Sequence, residues 1–379
     1  MIWKSIKQPL KILLKQVLKV FWILPVDQNV VLFESMEGSQ YSCSPKYVSK
    51  MLHEVNPSAK IRWYFKRNIE KKTPDYVSAE NGGKLKKLLL EMTSGIIVTN
   101  QNVLGYIPFR KKQLVINTWH GGGAYKKVHG SSKTFELCAN NTSYILSSSK
   151  AFSDFFLKKD FQYQENKIVK CGMPRNDLLQ VVCKQRVEKI RESLKIHNDD
   201  FIILYAPTFR GNSNHMEAWK MDIDFSMIQQ EIETKFGRKC EILVRAHVGD
   251  DVFSRHKVGI RDVSQYDDMQ ELLCITDLLI TDYSSCVWDR AVQKGMGILY
   301  ATDVDEYRRY PGLYTDITTW PFPLAQNNEE LKQELRKLDA EKQAESCEKH
   351  LQELGSYETG HATEQVVEII ENHLKGNKS

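Results

Sequence analysis

Short apolar runs recur along the chain and alternate with amphipathic stretches of helical period. Val30–Glu34, Ile61–Phe65, Ile96–Thr99, Leu114–Trp119 and Ile168–Cys171 form one set. Phe201–Ala206, Ile242–Arg245, Leu278–Thr281 and Ile298–Ala301 form a second. Between them lie Lys46–Val55, Lys84–Met92, Leu178–Leu194 and Met269–Ile275, with apolar residues at helical spacing. Runs this short and this apolar read as strands buried on both faces, and helical connections between them imply parallel pairing. The fold class is therefore α/β, with parallel sheets flanked by helices. At about 150 residues per domain, 379 residues suit two domains with a cleft between them. The spacing places an N-terminal domain at 25–185 and a C-terminal domain at 186–340. A helical tail at 341–379 follows, frayed over its last residues.

Charge is distributed unevenly. The chain carries 53 basic and 48 acidic residues. Residues 1–24 hold Lys4, Lys7, Lys11, Lys15 and Lys19 and no acid, so the remainder balances at 48 against 48. A neutral body argues against a nucleic-acid surface. On a helix the five lysines fall within about 120° of arc, opposite Ile6, Leu10, Leu13, Val17, Phe21 and Leu24. That pattern suits a helix lying on an anionic membrane surface, with the lysines as an electrostatic address that salt weakens. A helix packed on the rest of the protein is the competing reading. Pro9 favours a helix starting there. Lysine recurs too often for a signal peptide, and the apolar run Val20–Val26 is too short to span a bilayer.

The eight cysteines show no C-x-x-C pair, and the histidines show no H-E-x-x-H pattern. Reduced thiols in a cytosolic protein are expected, with no metal site and no cofactor.

Four polar motifs end apolar runs, where open parallel sheets bind ligands. Asn117-Thr118-Trp119-His120 leads into Gly121, Gly122 and Gly123. A histidine there can act as a base, and glycines let backbone approach a ligand. A glycine turn with an incidental histidine fits equally. Tyr205-Ala206-Pro207-Thr208-Phe209-Arg210 offers Arg210 as a phosphate clamp and Thr208 as a donor. Leu243-Val244-Arg245-Ala246-His247 places two polar groups at a strand end. Thr281-Asp282-Tyr283-Ser284-Ser285 starts a helix, whose free amides and hydroxyls can hold phosphate or merely form a cap. Arg175-Asn176-Asp177 marks a further strand-to-helix turn. Together these suit a phosphorylated, nucleotide-like ligand. No Walker A or G-x-G-x-x-G spacing is present.

These motifs resemble those of the CDP-glycerol glycerophosphotransferases, which build teichoic acids and related capsular polymers in bacteria. The resemblance runs from about Val31 to about Leu331. It rests on F-E-S-M-E-G-S-Q-Y-S-C-S-P-K-Y (33–47), N-T-W-H-G (117–121), C-G-M-P-R-N-D (171–177), Y-A-P-T-F-R (205–210), L-V-R-A-H (243–247), T-D-Y-S-S (281–285) and D-E-Y-R (305–308). The chain departs from the family at Gly122-Gly123-Ala124, Ala246 and Val248, and at Pro321-Phe322-Pro323-Leu324.

The resemblance implies a GT-B-like fold of two Rossmann-like domains. It implies transfer of a polyol phosphate from a CDP-activated donor to a hydroxyl of a lipid-linked acceptor, releasing CMP. His120 matches the general base, and His247, Ser284 and Ser285 match donor phosphate contacts. Arg210, Thr208 and Asp282 are further candidates there. It also implies a peripheral protein on the cytoplasmic face of the bacterial cell membrane. A homo-oligomer is compatible with the sequence. A nucleotide-sugar glycosyltransferase of the same fold and a non-catalytic assembly protein are the rival readings.

Overall fold

The structure is a computed structural model and describes residues 8–67, 73–130, 132–181, 183–208, 223–246 and 260–376 of the chain. It comprises two compact units. The first contains 1–120, 128–177 and 356–379; the second contains 121–127 and 178–355.

The first unit is built on seven strands: β1 (Asp27–Glu34), β2 (Lys60–Phe65), β3 (Ser78–Asn81), β4 (Ser94–Thr99), β5 (Leu114–Asn117), β6 (Tyr144–Ser147) and β7 (Ile168–Lys170). They pair in the order β3-β2-β1-β4-β5-β6-β7, each pair parallel. Val31, Phe33, Ile96, Val98 and Ile116 are buried on one face with Val48 and Leu52 of the helix Cys43–Val55. The C-terminal helix Ala362–Gly376 closes the same core through Val366, Val367 and Ile370.

The second unit carries β8 (Phe201–Ala206), β9 (Cys240–Val244), β10 (Ile260–Asp262), β11 (Leu278–Thr281), β12 (Met296–Tyr300) and β13 (Leu324–Ala325). Their order is β10-β9-β8-β11-β12-β13, again with parallel pairs. All residues of β8 and β11 are buried, which explains their unbroken apolar sequence.

In each sheet the strand order reverses beside the first strand, between β1 and β4 and between β8 and β11. Loops leaving the carboxyl ends of such strands diverge and leave room for a ligand. Glu34–Gly38 and Asn100 occupy that place in the first unit, and Pro207–Thr208 and Asp282–Ser285 in the second.

The structure departs from the sequence reading in three places. The 341–379 tail divides: the helix Ala340–Glu353 belongs to the second unit, and residues from Ser356 return to the first. The stretch 178–194 forms two helices, Asp177–Gln180 and Lys184–Ser193. Four strands lacked a clear signal. Ser78–Asn81 and Ile260–Asp262 are short edge strands with polar or half-exposed residues. Tyr144–Ser147 has four residues and Leu324–Ala325 has two.

Candidate active site

In the first unit the candidate site is organised around His120. After β5, Thr118 donates its amide to the Thr99 carbonyl at 2.7 Å, carrying the sheet pairing one residue further. Trp119 then adopts φ 53, a left-handed conformation that costs a bulky residue about 1 kcal/mol or more. Two features hold it there. Its amide donates to Asn117 Oδ1 at 2.9 Å, and its indole packs on Phe156 and Phe161, with ring centroids 5.3 and 5.1 Å away. The turn presents His120, half-buried, with its ring 4.4 Å from that of Trp119.

His120 Nδ1 lies 2.8 Å from the Asn100 carbonyl oxygen. A carbonyl only accepts, so Nδ1 carries the proton in the neutral imidazole and Nε2 is the basic nitrogen. Asn100 is fully buried and itself braced. Its Oδ1 accepts from the Met36 amide at 3.0 Å and its Nδ2 donates to Ser35 Oγ at 3.1 Å. Met36, Glu37 and Gly38 all have positive φ, 48, 55 and 76. Asn100 therefore ties the strained loop after β1 to the histidine after β5. Backbone strain concentrated at one sheet edge is a mark of a functional site.

In the second unit, Asp282 is buried and accepts the Thr208 amide on both oxygens, at 2.8 and 3.0 Å, and the Tyr283 amide at 2.6 Å. It clamps the loop after β8 to the loop after β11. An ionised carboxylate saturated with amides is a brace for a phosphate site rather than a phosphate ligand. Ser284 and Ser285 are half-buried where the helix Cys286–Val292 begins, and Ser285 makes no capping bond through its side chain. Arg245, after β9, donates its amide to the Tyr205 carbonyl at 2.9 Å and Nη2 to the Asp267 carbonyl at 3.4 Å. Its Nη1 is buried without a hydrogen-bond partner among the described residues. Burial holds its guanidinium below the ordinary arginine range, opposed by Asp268 and Asp267.

The glycine loop has a different partner from the one expected. Gly121–Lys127 packs within the second unit, so the unit boundary falls directly after His120. A Cβ on Gly122 would sit 2.0 Å from Trp288 Cδ1, and Gly123 has φ 68. The loop is pinned further by Tyr125, whose carbonyl accepts the Tyr314 amide at 2.7 Å. The Tyr125 hydroxyl meets His350 Nε2 at 3.0 Å. Burial pushes His350 down to about 4, so it is a neutral acceptor there. Among the described residues, the approach that requires glycine at 122 is made by Trp288.

Residues 16–372 match the family described as CDP-Glycerol:Poly(glycerophosphate) glycerophosphotransferase. The chain belongs to this family. It is a transferase of teichoic acid synthesis with a GT-B-like fold of two parallel-sheet units. A teichoic acid poly(glycerol phosphate) polymerase of Bacillus spizizenii is 29% identical over 93% of this chain and 95% of its own length. The teichoic acid ribitol-phosphate polymerase TarL of Staphylococcus aureus is also 29% identical, over 89% of this chain and 62% of that protein. The chain spans only 45% and 51% of two longer poly(glycerol phosphate) polymerases. A structure of the wall teichoic acid polymerase TagF superposes with a TM-score of 0.81 at 25% identity, covering 96% of this chain and 94% of that one.

For a glycerophosphotransferase of this kind, the described residues bring His120 to one sheet edge and Thr208, Asp282, Ser284 and Ser285 together at the other. His247, Arg210, Lys4 and Lys7 lie outside the described residues. Asn100 and Arg245 are additions. Arg245 was visible in its motif beside His247, whereas nothing in sequence separates Asn100 from an ordinary strand-end asparagine. Lys11 and Lys15, expected to face outward, are turned onto the first unit. Lys11 Nζ donates to Thr134 Oγ1 at 3.3 Å and Lys15 Nζ to Asn141 Oδ1 at 2.6 Å. Among the described residues, no helix is long and apolar enough to cross a membrane.

Proposed function

We propose that the chain transfers a polyol phosphate, glycerol phosphate or ribitol phosphate, from a CDP-activated donor to a hydroxyl of a lipid-linked teichoic acid or capsular acceptor. The acceptor oxygen attacks the phosphorus that bears the polyol. The bond to the bridging oxygen breaks, and that oxygen leaves with CMP. The hydroxyl proton passes to His120 Nε2. The observation that carries this reading is the fixed tautomer of His120, set by the Asn100 carbonyl at 2.8 Å. A general base must present an unprotonated nitrogen, and this arrangement fixes which one.

Charge growing on the phosphoryl oxygens and on CMP needs preorganised donors. Ser284 and Ser285 supply hydroxyls and Thr208 a third, on loops that Asp282 holds in register. Arg210 and His247 complete the donor side. The acceptor places the enzyme at the cytoplasmic face of the bacterial membrane, against an anionic surface.

Purified protein offered CDP-glycerol, CDP-ribitol and a lipid-linked acceptor should yield one elongated product and stoichiometric CMP by mass spectrometry. His120→Ala should lower kcat by about 10²- to 10⁴-fold with KM for the donor little changed. Unchanged turnover in that variant would remove His120 from the chemistry. Release of UDP from a UDP-sugar instead of CMP would overturn the donor assignment.

A further inference from the structure

The N-terminal helix Gln8–Leu18 and the turn Lys19–Ile23 after it are fastened to the first unit along one side. Leu18 is buried with Met92, Tyr106 and Ile107, and Leu14 and Phe21 pack beside it. Lys11 and Lys15 reach Thr134 and Asn141 on the same side. Arg110 Nη2 binds the carbonyls of Phe21, Trp22 and Leu24, and Trp22 Nε1 donates to the Pro108 carbonyl at 2.7 Å. The segment is thus part of the domain, in one rotational setting.

That setting leaves its most apolar side bare. Leu10, Leu13, Val17, Val20 and Ile23 are 52% to 87% exposed. With Ile12 and Trp22, this short segment holds seven of the thirteen exposed large hydrophobic side chains among the described residues. Leu104, also exposed, adjoins it through its carbonyl, which accepts from Asn141. Scattered single apolar residues need no explanation, but a contiguous stripe does.

We propose that this stripe inserts into an anionic lipid bilayer, apolar side down, and that the two inward lysines are tethers to the domain rather than the membrane address. Charge complementarity selects the occupant. Residues 1–26 contain no acid. Lys19 is exposed, with its ammonium 5.4 Å over the Trp22 ring, an amphipathic pair suited to the headgroup boundary. Lys111 and Lys112 are exposed directly after Arg110, and Lys133 is exposed beside Thr134, with Glu136 the one acid of that helix. A two-fold contact between copies would set these lysines against their own kind. An anionic bilayer takes both the stripe and its basic rim.

The inference rests on the membrane reading above and deepens it: apolar burial carries the binding, and charge only assists. The test is sedimentation of the full chain with vesicles of phosphatidylglycerol and phosphatidylcholine, at low salt and at roughly 0.5 M salt. The wild type should sediment in both. Leu13→Gln combined with Val17→Gln should lower partitioning about tenfold or more at either salt, with an unchanged thermal melt because both sites face outward. Binding that salt abolishes and the double variant retains would overturn the inference and leave the membrane reading standing. A wild type that ignores vesicles would overturn both. A lipid-free dimer dispersed by the double variant would assign the stripe to a second copy and overturn the inference. Turnover on a soluble acceptor analogue, followed in the same proteins, reports on the transferase reading separately.

Discussion

Two amphipathic helices pack on the first unit from opposite ends of the chain, and they end up in opposite conditions. The helix Ala362–Gly376 has Ala362, Val366, Val367, Ile370 and Leu374 all at 4% exposure or less, inside the main core of the sheet. The helix Gln8–Leu18 buries Leu18 and leaves Leu13 and Val17 in the open. Both sequences announce an apolar face by periodicity alone. The difference lies in what holds each helix. The C-terminal helix is capped by Asp177, which accepts the Ala362 amide at 3.1 Å and the Thr363 amide at 2.7 Å. That cap sets its apolar face on the sheet. The N-terminal helix is held by lysines and a narrow hydrophobic edge, so its broad apolar face is turned away. An amphipathic pattern specifies that a face will be covered, and the anchoring contacts decide by what.

The sharpest way to break this comparison is a matched pair of charges. Ile370→Asp should destabilise the protein by about 4 kcal/mol or more, or prevent soluble expression, because the carboxylate would be buried unpaired. Val17→Asp should change urea-unfolding stability by less than about 0.5 kcal/mol. Equal effects would mean that the two faces are equally buried in solution. Next in size, Leu18→Ala should cost about 2 kcal/mol in the same measurement, since Leu18 is the buried edge of an otherwise exposed helix. A negligible cost would show that the helix does not dock as described.

The smallest expected effect concerns the cap. Asp177→Ala should cost about 1 kcal/mol. Burial raises the Asp177 carboxyl above its usual range, against the hydrogen bonds from Thr363 and Ala362. The folded state therefore holds that proton to higher pH than the unfolded chain does, and the carboxyl's contribution declines as pH rises through its folded pKa. Asp177→Asn, which cannot ionise, should gain stability relative to the wild type as pH rises from the usual carboxylate range toward neutrality. Urea midpoints of the two proteins across that range check the sign.

Much of the fold was legible because buried parallel strands must be apolar on both faces. Phe201–Ala206 and Leu278–Thr281 stand at their expected bounds for that reason, as does the helix Met269–Ile275. Edge strands such as Ser78–Asn81 escaped because their stability comes from one neighbour's hydrogen bonds, not from their own side chains. At the site, strand-end position singled out His120, Thr208, Asp282, Ser284 and Ser285. It did not assign tasks among them. Asp282 reads as a phosphate contact in a motif, and only its three amide donors show it to be a brace. Gly122 reads as room for a ligand, and only the Trp288 ring shows what presses against it.

By itself, then, the sequence determined the class of fold, the family and the strand ends that carry the polar motifs. These follow from period and residue type, which are local. It also placed all of the chain's excess charge in the first 24 residues. The tertiary structure decided which way that segment turns. Helical period separates lysines from leucines, but either side can dock. Here Thr134, Asn141, Pro108 and the cluster at Met92 and Tyr106 are complementary to the lysine side and its narrow apolar edge. Those partners lie between 70 and 130 residues away along the chain, and no local pattern encodes contacts at that distance.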